Sequence, residues 1–306
     1  MQKTDFPIEL VIGEDCSTDG TRDIVFSYAR KYPELIRTVT SDSNVGMAAN
    51  ARRTAMACKG EYVAICEGDD YWIDPLKLQK QYDAAREYDA VLVAHDSIFV
   101  FYKGSRVDGA SVRQASEQSG FLSAEDIIFM SGSLHTSSLF FRTDLMATLS
   151  RWISDALGDD YVIKLHALGN GKIYYIHEIM SVRQKGFSGS WSEMRAIRES
   201  TEEAYGADFE RNHLEVLMRF DAYTEHRHAS LIHRRVCYRL ERYLETKRDL
   251  DLLETRDLEK TAVRVLARVA SILPGRLRRS AVRRLVEHAW ESSTLKEQLG
   301  NIASPS

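Results

Sequence analysis

Cysteine is scarce in this chain. Cys16, Cys58, Cys66 and Cys237 are spread over 306 positions. That is too few and too scattered for a disulfide framework or a CxxC zinc pair. The reading is reduced thiols in a cytoplasmic protein. Long apolar runs are missing too: no stretch of about 18 apolar residues occurs, so no membrane-spanning helix is expected. Neither sign of charge dominates. Lys plus Arg number 41 against 45 Asp plus Glu, a formal net charge of −4. No global basic field therefore exists to hold nucleic acid, which is not expected as a partner. Five prolines and 17 glycines exclude a collagen-like or low-complexity chain. There is no GxGxxG and no GxxxxGK[ST] loop, which argues against the common dinucleotide and P-loop enzymes. No signal peptide is read at the start, and an apolar strand begins almost at once after Met1.

What is present in the first half is an alternation of strand and helix signals. Ile8–Ile12 is short, β-branched and apolar, and reads as a buried strand. The turn formers of 15–21 follow, then a helical stripe through Ile24, Val25, Tyr28 and Ala29 that ends at Pro33. Leu35–Thr40 and Glu61–Cys66 read as further strands, with an Ala-rich helix between them. Pro75 opens another helix, and Ala90–Phe101 is a long strand. Residues 104–120 read as a loop. This rhythm predicts an α/β fold with a mostly parallel sheet flanked by helices. In such sheets ligands bind beyond the C-terminal strand ends. The polar clusters at 14–21, 41–46 and 67–70 all fall there. After about residue 192 strand signals vanish and amphipathic helices rich in Arg, Glu and Leu take over. The predicted division is a catalytic domain over 1–191 and an α-helical C-terminal appendage over 192–306.

Glu67-Gly68-Asp69-Asp70 puts three carboxylates in four residues behind an apolar strand. Left bare they repel one another. A hard divalent cation, Mg²⁺ or Mn²⁺, removes that cost and is itself suited to phosphate oxygens. The alternative is an acidic loop that caps the following helix.

The order of motifs adds more. Glu14-Asp15-Cys16-Ser17-Thr18-Asp19-Gly20-Thr21, then Asn44-Val45-Gly46, then Gly60-Glu61-Tyr62-Val63-Ala64 leading into Glu67-Gly68-Asp69-Asp70-Tyr71-Trp72, resemble glycosyltransferase family 2. The resemblance covers roughly residues 6–191. It implies the GT-A fold and a nucleotide-sugar donor, most simply UDP-linked. It also implies a glycan or lipid-linked acceptor and inversion at the sugar, in a setting such as bacterial surface polysaccharide synthesis. Residue by residue, it implies that Glu14, Asp15 and Asn44 face the nucleotide. Glu67 takes the first position of a DxD-like motif on the ribose side. Asp69 also contacts the nucleotide and, supported by Asp70, ligates the metal.

An inverting transfer needs a carboxylate to take the acceptor hydroxyl's proton. The resemblance gives that role to Asp160, with Asp159 in support; helix N-capping is the plainer reading of the pair. His135, Arg183, Lys185 and Trp191 are candidates for contact with acceptor or diphosphate. Lys185 stands near the position where relatives carry a histidine. By the same comparison, a first strand that carries part of the nucleotide pocket is expected before Thr4 and is not found. That leaves open a non-catalytic nucleotide-sugar-binding or scaffold protein. Finally, Arg276–Arg284 with the apolar residues after it reads as a basic amphipathic helix. It would suit peripheral contact with the inner face of the plasma membrane, or simple packing on its neighbours.

Overall fold

A computed structural model of the chain describes residues 1–129, 133–149, 160–186, 190–202 and 205–248. The chain divides into two compact units, Met1–Arg195 and Ala196–Ser306.

The first unit opens with β1 (Leu10–Gly13), α1 (Thr21–Lys31), β2 (Ile36–Val39) and α2 (Met47–Ala57). β1 and β2 pair in parallel, Leu10 opposite Ile36 through Gly13 opposite Val39, and form a two-stranded sheet of their own. Neither α1 nor α2 contains a fully buried residue. Ile24, Met47 and Met56 stay largely in solvent.

The larger sheet holds β3 (Tyr62–Ala64), β4 (Tyr71–Trp72), β5 (Ala90–Lys103), β6 (Arg106–Arg113), β7 (Gly120–Phe121), β8 (Phe140–Arg142) and β9 (Lys172–Lys185). Its path is β3-β8-β5-β9-β4, with β6 on β5 and β7 on β9. The α/β class with helices on a central sheet holds, but the expectation of mostly parallel pairing is corrected here. Only β5 and β9 run parallel in this sheet, and β3·β8, β5·β8, β5·β6, β4·β9 and β7·β9 are antiparallel. The physical reason is that much of the sheet is built by short return segments rather than by helical crossovers. The clearest is the β5–β6 hairpin, whose Gly104 takes a positive φ of 63°. That hairpin also replaces the loop expected over 104–120: its strand β6 is exposed along almost its whole length, so it carries no apolar alternation to announce it.

The core lies on both faces of β5. Leu92 and Val93 are each fully buried, as a continuous apolar run in a doubly covered strand must be. α3 (Lys77–Tyr88) covers one face, packing Leu78, Ala84 and Ala85 against Val93, Phe140, Ile176 and Met180. Also buried in this unit are Ile127 and Ile128 of α4 (Ala124–Phe129), Leu145 and Leu149 of α5 (Asp144–Leu149), and Tyr161 through Ala167 of α6 (Asp160–Asn170). Burial of this kind contributes about 25 cal/mol per Å² of apolar surface.

α7 (Trp191–Thr201) follows β9. The second unit continues with α8 (Tyr205–Tyr223) and α9 (Ala229–Arg248), consistent with the helical appendage. Here Asp221 accepts from the His226 ring at 2.6 Å, so that histidine serves its own helix turn. The basic segment 276–284 lies outside the described residues, as do Cys237's side chain and Asp159.

Candidate active site

The predicted site residues fall into two groups. The first gathers at the C-terminal end of β1. Glu14 is 3% exposed and its carboxylate is used internally: Oε1 accepts from the Ser17 amide, and Oε2 lies 3.2 Å from Arg22 Nε. The Ser17 amide bond, aided by Arg22, holds this carboxyl below the usual range against the cost of burial. Asp15 reaches across to the next connection. Its Oδ1 accepts from Val45 N and its Oδ2 from Gly46 N, both at 2.9 Å, while Arg53 Nη2 lies 3.4 Å from Oδ1. Asn44 Oδ1 accepts from the same Gly46 amide at 3.0 Å. Glu14, Asp15 and Asn44 therefore build and brace the 14–17 and 44–46 loops.

The second group converges on the larger sheet. β4 follows the acidic tetrad directly and pairs antiparallel with β9, Tyr71 opposite Val182. That pairing lays Asp69 and Asp70 along the β9 edge. The Gln184 amide donates to Asp70 Oδ1 at 3.1 Å, and Gln184 Nε2 donates to the Asp69 carbonyl at 2.6 Å. The other Asp70 oxygen, Oδ2, lies 3.3 Å from His135 Nδ1. His135 caps a short 3-10 turn, Thr136–Ser138, and Nδ1 accepts from Ser137 N. By that hydrogen bond Nδ1 carries no proton. Behind it run hydroxyl contacts, Ser137 Oγ to Ser181 Oγ at 3.1 Å and Ser181 Oγ to Ser97 Oγ at 2.8 Å. Trp72 donates from Nε1 to the Ser137 carbonyl at 3.0 Å and lies under the Lys77 ammonium.

One ligand atom each from Glu67, Asp70 and His135 lie within 4.8 Å of one another. The electrostatics of this trio are those of a site short of positive charge. Burial, then Glu67, push the Asp70 carboxyl up to about 7. Burial also raises Glu67, against a bond from Thr136, with Asp160 and Asp69 adding to the rise. Its Oε2 is buried and has no hydrogen-bond partner. Burial, then Arg183 and Lys164, press the His135 imidazole down to about 2, so it is neutral. Two oxygens and an unprotonated ring nitrogen facing one another fit a divalent cation. Asp69, expected as the leading ligand, stands beside this trio in the same turn.

Asp160 opens α6 and has its side chain 32% exposed. Its Oδ2 accepts from Lys164 Nζ at 2.7 Å. Lys164 is itself fully buried and donates a second bond to the Leu134 carbonyl at 2.8 Å. It thereby fixes both the carboxylate and the backbone just before His135. Sequence reasoning missed Lys164, Thr136 and Gln184. The signal available for Lys164 was its place four residues after Asp160 on one helix face.

Arg183 and Lys185 are on β9. Arg183 lies within electrostatic reach of Asp70 and His135. Lys185 points to the same face further along. Its ammonium is held below its ordinary value by burial and then by Arg183, Arg113 and Arg195. Trp191 begins α7, and its side chain is outside what the structure describes. The structure thus brings Glu67, Asp70, His135, Asp160 and Arg183 together, and ties Glu14, Asp15 and Asn44 into a separate loop cluster.

Residues 1–137 match the family described as Glycosyl transferase family 2. An uncharacterised protein of Mycobacterium bovis is 34% identical over 196 residues, 62% of this chain and 54% of that protein. TuaG of Bacillus subtilis, named as a teichuronic acid biosynthesis glycosyltransferase, is 40% identical over 79 residues, 26% of this chain and 31% of TuaG. The chain spans about half the length of the mycobacterial relatives it matches. Among solved structures, residues 1–349 of S. aureus TarS in complex with UDP superpose with a TM-score of 0.58. The identity is 16%, over 99% of this chain and 86% of that one. At that identity the likeness is one of fold.

Proposed function

We propose that this chain, whose residues 1–137 match glycosyl transferase family 2, moves a sugar from a nucleoside diphosphate donor, UDP-linked, to a hydroxyl of a glycan or lipid-linked acceptor with inversion. The observation that carries this reading is the Glu67–Asp70–His135 trio, with Asp160 tied through Lys164 to the Leu134 carbonyl beside His135.

In this reading Glu67, Asp70 and His135, with Asp69 beside them, would hold Mn²⁺ or Mg²⁺. When bound, the cation supplies Lewis-acid charge to the leaving group. Arg183 adds a fixed positive charge on the same side. Asp160 takes the proton from the acceptor hydroxyl as that oxygen attacks the anomeric carbon. Lys164 keeps the Asp160 carboxylate in one orientation. Asp15 shapes the base and ribose pocket indirectly, by presenting the 44–46 backbone. Glu14 does the same for 14–17.

The region 1–191 is the catalytic domain in this reading. The setting is the synthesis of a bacterial surface polysaccharide, in keeping with the name of the Bacillus subtilis relative TuaG. No described helix is long and apolar enough to cross a membrane. Approach to a lipid-linked acceptor would rest on the basic segment 276–284.

The test is to incubate the chain with UDP-sugars, Mn²⁺ and acceptors and to measure UDP release. Transfer lost in Asp160→Ala and Asp70→Ala supports the assignment. Nucleotide-sugar binding by calorimetry without any turnover favours the binding-protein alternative.

A further inference from the structure

The sheet face that the His135 ring packs against also carries a row of cations, of which the transfer chemistry uses Arg183 alone. Strand register fixes their arrangement. Arg113 of β6 lies opposite Ser97 of β5, while Arg183 and Lys185 of β9 lie opposite Phe99 and Phe101. Paired residues share a face of the sheet, so all three cations stand on the Ser97–Phe99–Phe101 side.

Phe99 is the joint between the two halves of this face. Its ring meets the His135 ring edge-on at 5.6 Å. It also carries the Arg183 and Arg113 guanidinium carbons at 5.2 and 5.4 Å from its centroid. Arg195, from the first two turns of α7, comes within electrostatic reach of Lys185. None of Arg113, Arg183 and Lys185 forms an ion pair with a carboxylate among the described residues. Like charges gathered on one face repel, so the grouping costs stability unless an anion offsets it.

The footprint separates this row from the donor end. β6 and β9 flank β5, which places their side chains roughly 10 Å apart, and Arg183 and Lys185 are roughly 7 Å apart along β9. Arg183, beside Asp70, suffices for a diphosphate held at the carboxylate trio. Lys185 stands one face position beyond Arg183 along β9, with Arg195 within electrostatic reach of it, and Arg113 stands across β5 on the other flanking strand.

We propose that Arg113, Lys185 and Arg195 form an acceptor subsite for phosphate groups, so that the acceptor is a phosphate-bearing glycan rather than a neutral one. The proposal rests on the transferase reading of this face. Guanidinium groups suit it because they grip phosphate oxygens in pairs.

The experiment loads the full chain with UDP and Mn²⁺, then titrates a short glycerol phosphate oligomer, with a neutral maltooligosaccharide of similar length as the control. The oligomer is expected to bind and the control not. Arg113→Gln should weaken oligomer binding at least about ten-fold, the loss of one charge-assisted contact, and leave UDP affinity unchanged. Arg113→Lys should restore most of it. Arg113 is on an exposed edge strand, so these variants fold. Equal weakening of UDP would assign the row to the donor and overturn the proposal. So would equal binding of the neutral chain, or binding only to vesicles containing anionic phosphatidylglycerol. If UDP fails to bind at all while the oligomer still does, the transferase reading falls and the phosphate site stands.

Discussion

His135 Nδ1 and Asp70 Oδ2 face each other at 3.3 Å, and the imidazole nitrogen already accepts a bond from the Ser137 amide. Two acceptors in that position need a proton or a cation between them. Asp70 supplies the proton while the site is bare, with its carboxyl raised from 3.8 to about 7 by burial and by Glu67.

The first prediction concerns pH. A carboxyl with a raised folded pKa binds more protons folded than unfolded, so its contribution is complete below about pH 4 and is lost as pH rises to about 7. Melting of the metal-free chain should therefore show a loss of stability over that window, and Asp70→Asn should flatten it. Mn²⁺ competes with the proton, so its stabilising shift should be larger at pH 8 than at pH 6. An equal shift at both would contradict the assignment.

Lys77 predicts a slope of opposite sign. It is fully buried in α3, bonded to Gln81 Oε1 at 2.7 Å and set 4.1 Å from the Trp72 ring centroid. Burial lowers its ammonium from 10.5 to about 7. Stability should then rise with pH between about 7 and 10.5. Lys77→Met, which keeps length and removes the charge, should abolish that rise, as read from denaturant midpoints across pH.

Asp160→Asn should lower transfer by about 10²–10⁴-fold, the range for loss of a general base, with UDP affinity unchanged. Lys164→Met leaves the Leu134 carbonyl without its donor, at a cost of about 1–3 kcal/mol. It should also lower turnover by releasing Asp160. If Lys164→Met reduces only thermal stability and the turnover of the folded fraction matches the parent, Lys164 has no positioning role.

Asp15→Asn removes one of the two acceptor oxygens that hold the Val45 and Gly46 amides. A bond to a charged acceptor contributes about 1.5–3 kcal/mol. UDP affinity measured by calorimetry should fall by about ten-fold or more, with no change in the pH dependence of turnover.

The positions of the chemistry were readable in sequence better than its partners. The Glu67–Asp70 tetrad stood out at a strand end, while His135 and Asp160, far from it in the chain, were singled out by the family resemblance. What the sequence could not carry was how a carboxylate is spent. Glu14 and Asp15 are acidic residues at a strand end, the usual place for ligand contact. In the fold their oxygens are taken by Ser17, Val45 and Gly46 amides. Lys164 was hidden for a related reason: a lysine inside an apolar helix reads as a surface residue until its acceptors, Leu134 and Asp160, are brought to it. β6 was hidden because both of its faces are largely wet, which erases the alternation that betrays a strand.

Among the described strands β1 and β2 pair only with each other, and the helices beside them contain no fully buried residue. Segments with so little burial open at low free energy, before the rest of the domain. The loops that Glu14 and Asp15 brace ride on that segment. A nucleotide gripping those loops would bind only the assembled molecules and draw the opened ones after it. Its apparent affinity would then be the intrinsic one multiplied by the assembled fraction. Amide exchange in β1 and β2 would slow on adding UDP even where no atom of the nucleotide touches them.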